Sequence, residues 1–79
     1  MSPTVFWSGP YRFYFFSREE PRMHVHVTYP DGEAKFWLEP TVALAQNYGL
    51  TEQQLGVVKN VVEERADECR DAWKKHFPG

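Results

Sequence analysis

The sequence predicts an α+β domain: two β-hairpins forming an antiparallel sheet, packed against a long C-terminal helix, with a short connecting helix between them. Three observations predict it. Residues 4–39 hold β-rich runs that alternate apolar and polar positions around two turn signals, Gly9-Pro10 and Tyr29-Pro30-Asp31-Gly32. Residues 51–77 carry apolar side chains at steps of three and four, the helical period. The chain has 79 residues, room for one domain (1–79) with one modest core.

Thr4-Val5-Phe6-Trp7-Ser8 and Tyr11 to Phe16 are the strands of the first hairpin. The second of them is apolar on both faces, with Tyr11, Phe13 and Phe15 on one and Tyr14 and Phe16 beside Arg12 on the other. Such a strand belongs near a sheet centre or has its outer face covered. Ser17 to Met23 reads as a polar loop. His24 to Tyr29 and Glu33 to Glu39 form the second hairpin; Pro30 presets φ, and Asp31-Gly32 tolerates the reversal. Alternation puts Val25, Val27, Tyr29, Ala34, Phe36 and Leu38 on an inner face. It puts His24, His26, Lys35, Trp37 and Glu39 on an outer face.

Pro40 suits the first turn of a helix, Ala43 to Gln46 are good helix formers, and Gly49 supplies a left-handed stop. The short connecting helix is therefore expected over 41–48; the alternation of Val42 and Leu44 keeps a fifth strand as the alternative. Thr51 and Gln54 fit a capping box, with Leu50 and Leu55 at the hydrophobic-staple spacing. The stripe Leu55, Val58, Val62, Ala66, Cys69, Trp73 and Phe77 follows, to Pro78-Gly79. A helix of that length extends about 40 Å. Its end is expected to project, bend or pack on a partner.

Nine Lys and Arg against 11 Asp and Glu give a formal charge of −2, and the basic residues are dispersed. That argues against tight non-specific DNA binding, though not against a small RNA contact. A single cysteine excludes an internal disulfide and a cysteine-rich zinc site. No charged segment precedes an apolar run at the N-terminus, and no apolar run is long enough to span a membrane, so a cytoplasmic protein is expected.

His24 and His26 project from one strand face, near enough to share a metal ion, with Glu39, Glu33 or His76 as the third ligand. Only two ligands are placed by spacing, so no metal and no cofactor is expected. His24, His26, Lys35 and Glu39 together could instead perform acid–base cleavage of RNA. Partner binding needs neither; Tyr14, Phe16, His24, His26 and Trp37, or Trp73 and Phe77 near the helix end, would form the contact. Cys69, on the apolar stripe, reads as a small buried hydrophobe.

The strings Tyr11-Arg12-Phe13-Tyr14-Phe15-Phe16-Ser17, His24-Val25-His26-Val27 and Ala34-Lys35-Phe36-Trp37-Leu38-Glu39-Pro40 resemble a small bacterial and archaeal family, domain of unknown function 4160. Pro3-Thr4-Val5-Phe6, Pro21, Leu44-Ala45, Gly49 and Trp73 extend the likeness over almost the whole chain. The family has no settled activity. Its members resemble pieces of two-gene modules of toxin–antitoxin type. The resemblance carries the family's His pair to His24 and His26, and its aromatic–acid motif to Trp37 and Glu39. Many relatives have a His in a helix motif E-E-H-x-E, where this chain has Glu63-Glu64-Arg65-Ala66-Asp67. The expected function is thus a protein-binding component of such a module, paired with itself or with a neighbouring gene's product. The alternative is an RNA-cleaving or metal-binding protein.

Overall fold

A computed structural model describes residues 3–16 and 21–78. The core of the expected polar loop (17–20) and Gly79 lie outside the described residues. The described chain is α+β. Strands β1 (Thr4–Ser8), β2 (Tyr11–Tyr14), β3 (His24–Tyr29), β4 (Gly32–Trp37) and β5 (Ala43–Tyr48) form one antiparallel sheet in chain order. Helices α1 (Glu52–Glu64) and α2 (Ala66–His76) follow.

Both hairpins form where the turn signals lie. The expected short helix is instead the fifth strand. Its residues Ala43, Leu44, Gln46, Asn47 and Tyr48 pair with β4, with an irregularity between Lys35 and Phe36. Helix propensity at Ala43 to Gln46 is a matter of a few tenths of a kcal/mol per residue. Pairing along the open edge of β4 satisfies a whole row of backbone groups, and it wins. Pro40 does not start a helix; the Glu39–Pro40 peptide is cis and lies between β4 and β5. Gly49 does take positive φ, at 93°, but beyond a strand. There the chain passes so close to Gly32 that a Cβ on Gly32 would sit 2.6 Å from the Tyr48 carbonyl oxygen.

The inner face is the core. Phe13, Val25, Val27, Phe36 and Leu38 are buried, and Val58 and Val62 of α1 pack onto them, with Leu55 partly buried beside them. The capping box forms as expected: Thr51 Oγ1 accepts from Gln54 N–H at 3.1 Å, and Thr51 N–H donates to Gln54 Oε1 at 2.9 Å.

The long helix is interrupted at Arg65. The apolar stripe runs unbroken through that position, so periodicity alone cannot show the break. A straight helix of about 40 Å would overrun the molecule, whose longest extent is 36 Å. Instead α1 packs on the inner face and α2 packs across one end of the sheet. Arg70 fixes α2 there, its Nε and Nη2 donating to the Leu38 carbonyl at 3.1 and 2.8 Å. Trp73 is 7% exposed and meets the rings of Phe15 and His24, and the Phe77 ring lies tilted against Trp73 at 4.4 Å. Of the three courses expected for the helix end, it bends: Trp73 and Phe77 pack within their own chain rather than projecting toward a partner.

Candidate functional site

Cross-strand register arranges the outer face of the sheet in transverse rows. Trp7, Arg12, Thr28, Glu33 and Tyr48 form one row, from β1 to β5. Tyr14, His26, Lys35 and Gln46 form the next. His24, Trp37 and Ala43 form a third, at the end that α2 crosses.

The middle row is a packed aromatic–cation array. Tyr14 is buried; its ring stacks on His26 at 5.4 Å and meets the edge of Phe16 at 5.5 Å. Phe16 lies 4.3 Å from the His26 ring. The Arg12 guanidinium lies 4.6 Å over Tyr14, and its Nε donates to Thr4 Oγ1 at 2.7 Å. Arg22 and Lys35 lie over the Trp37 ring, at 4.0 and 4.5 Å. A cation over an exposed ring contributes about 0.5–1 kcal/mol, enough to set these side-chain positions. Phe16, Gln46 and Tyr48 rim a small groove whose lining includes His26, Glu33 and Lys35.

The two histidines share a strand face but not an environment. His26 is half-buried, whereas His24 is fully buried among His26, Trp37 and Trp73, with ring centroids at 4.9, 5.8 and 5.0 Å. This corrects the expectation that both lie on an open face: α2 closes over His24. Its Nδ1 lies 2.6 Å from the Arg22 carbonyl oxygen. A carbonyl only accepts, so Nδ1 carries a proton.

Of the expected acid–base set, the structure brings His26 and Lys35 together as direct cross-strand partners. His24 stands behind them, sealed from solvent. Glu39 lies beyond the end of β4, and its backbone carbonyl accepts from Arg22 at 3.3 and 3.2 Å. The carboxylate that reaches this face is Glu33, which accepts from the Tyr14 hydroxyl at 3.5 Å. Sequence reasoning treated Glu33 only as a possible ligand, although alternation back from Lys35 points to it. It also missed Trp7 and Tyr48, each 61% exposed; only the register puts them in one row.

The chain belongs to the family described as domain of unknown function (DUF4160), which it matches over residues 11–74. Neither the curated proteins nor the solved structures compared with the chain give a match.

In this DUF4160 chain Arg65, which the resemblance set against the family's helix His, stands at the break between α1 and α2. Its guanidinium lies 3.5 Å over the ring of Phe6, an inner-face residue, and donates to Glu68 at 2.8 and 2.9 Å. The hydrogen bond to Glu68 raises the already high pKa of Arg65. The sheet therefore lies between position 65 and His26, and the three positions do not converge. Of the other ligand candidates, His76 stacks on Phe15 at 6.1 Å, and Glu33 accepts from the Tyr14 hydroxyl. Among the described residues no three His, Cys, Asp or Glu side chains are grouped to hold a metal ion. Cys69 is buried, and burial pushes its thiol up to about 12, so it is a packing group and not a nucleophile at neutral pH. No helix among the described residues is long and apolar enough to cross a membrane.

Proposed function

We propose that this DUF4160 protein is the partner-binding component of a cytoplasmic two-gene module of toxin–antitoxin type, and that it binds through the outer face of its sheet. One observation carries the reading. Trp7, Phe16 and Tyr48 are 61, 43 and 61% exposed on one sheet face, while both helices pack on the other face or across one end. Large rings held on a rigid sheet are typical anchors of protein interfaces, and truncating such an anchor costs about 2 kcal/mol or more. The occupant is a neighbouring gene's product or a second copy of the chain. The test is size-exclusion chromatography with light scattering, alone and with that product. A stable complex is expected, weakened in Tyr48→Ala; a monomer indifferent to the product would end the reading.

A second reading draws on the His26–Lys35 pairing with Glu33 nearby. An imidazole and an ammonium side by side can shuttle a proton and stabilise a developing phosphorane. RNA cleavage lost in His26→Ala, with the fold intact by circular dichroism, would support it. His24→Ala is a poor probe, because that ring is part of the core.

A further inference from the structure

The outer-face row nearest the two hairpin turns runs Trp7, Arg12, Thr28, Glu33, Tyr48 from β1 to β5. An exposed ring stands at each end, a cation and an anion stand inside them, and a hydroxyl stands on the central strand. One residue places both charges. The Arg12 guanidinium lies 4.6 Å over the Tyr14 ring, and the Tyr14 hydroxyl donates to Glu33 Oε2 at 3.5 Å. Neighbouring strands lie about 4.8 Å apart. Arg12 and Glu33 therefore flank Thr28 at equal spacing, and Trp7 and Tyr48 lie at equal spacing beyond them.

Such a row complements itself. A second copy, given a half-turn about an axis along β3, lays β1 over β5 and β2 over β4. Trp7 then meets Tyr48, and Arg12 meets Glu33. Thr28 meets its own counterpart, one hydroxyl donating and the other accepting. Every contact but the central one occurs twice. In the next row the same axis sets Lys35 opposite Tyr14, a cation opposite a ring, and His26 over His26. An axis along the row would instead set Arg12 on Arg12 and Glu33 on Glu33, and like charges face to face are costly. Pairing edge to edge is disfavoured on separate grounds. β1 advances from Thr4 to Phe6 while β2 moves one residue, and β5 advances from Leu44 to Gln46 while β4 moves one. An extra residue in an edge strand breaks the regular ladder that a further strand needs.

We propose that two copies of the chain pack outer face to outer face about a two-fold axis along β3, with Arg12 of each opposite Glu33 of the other and Trp7 opposite Tyr48. The proposal rests on the outer-face binding reading and commits it to one occupant in one orientation. α2 stands across the far end of the face, so the contact takes in the rows near the turns. A contact of that size gives a reversible monomer–dimer equilibrium. The rings at the two ends of the row shield the charge pairs from water.

The test is a charge swap followed by sedimentation equilibrium of the full chain, over a concentration series reaching about 1 mM so that a weak pair associates. Arg12→Glu and Glu33→Arg each place like charges opposite one another at both symmetric contacts. Each should weaken self-association at least about tenfold. Mixing the two variants should restore association, because every such contact between them is again cation to anion; the double variant should associate by itself. Lys59→Glu and Glu63→Lys, exposed on α1, control for net charge and should leave the wild-type equilibrium unchanged. Circular dichroism checks each fold. Glu33→Arg leaves the Arg12 contacts to Tyr14 and Thr4 in place, so it decides the matter should Arg12→Glu not fold. A wild-type chain monomeric throughout the series, a dimer unaffected by Glu33→Arg, or folded variants that stay monomeric when mixed would overturn the proposal. The neighbouring gene's product is measured separately with the wild-type chain. A monomer that binds it defeats the self-pairing and leaves the outer-face reading. A dimer that obeys the charge swap yet ignores the product keeps the self-pairing and defeats the two-gene module.

Discussion

At one end of the sheet Trp73 lies under 7% exposure, against Phe15, His24 and Phe77; at the other Trp7 stands at 61% beside two turn prolines. Both ends are aromatic and both include a strand residue of the outer face, His24 at one and Thr28 at the other. The difference is the helix. Once interrupted at Arg65, α2 folds across the first end, fastened by Arg70 to the Leu38 carbonyl. Nothing comparable reaches the second end among the described residues. The same class of side chain is thus core at one end and exposed at the other, and His24 is sealed by the helix.

The contrast can be broken by substitution. Trp73→Ala should have the largest effect, a loss of about 3–5 kcal/mol in urea unfolding; a loss below about 1 kcal/mol would mean the first end is not closed as described. Arg70→Ala removes two hydrogen bonds from a side chain 26% exposed and leaves the Leu38 carbonyl without them. It should cost about 1–2 kcal/mol in the same assay.

Trp7→Ala sharpens the other side. It should change stability by no more than about 0.5 kcal/mol while weakening the partner complex at least about tenfold, or roughly 1.4 kcal/mol. A stability loss as large as that of Trp73→Ala would place Trp7 in the core and remove the contrast.

The smallest effect concerns Cys69, buried on α2. Its thiol is held up to about 12 against an ordinary 9.0, chiefly by burial. The folded chain therefore keeps that proton while the unfolded chain loses it, so this group lowers stability as pH rises above about 9 and has no effect below. Cys69→Ala should flatten that part of the stability–pH curve. The native thiol should also resist thiol reagents at neutral pH until urea unfolds the chain.

The local signals were legible in the residues. Alternation and turn chemistry placed β1 to β4 and the inner core of Val25, Val27, Phe36 and Leu38. Thr51 and Gln54 marked the start of α1, and the His-Val-His-Val and Lys-Phe-Trp strings marked the family. Each of these depends on neighbours a few residues apart. The tertiary structure alone decided the rest. Ala43 to Tyr48 became β5 because the edge of β4 offered backbone partners that helix propensity could not outweigh. The break at Arg65 leaves no mark in a continuous apolar stripe; it follows from fitting 25 residues of helix and linker around a sheet of limited width. His24 and His26 are alike in the alternation pattern and differ only because α2 covers one of them. Trp7 and Tyr48, 41 positions apart in the chain, share a row only through four strand registers, of which the two hairpin registers follow from their turns and the other two from contacts distant in the chain.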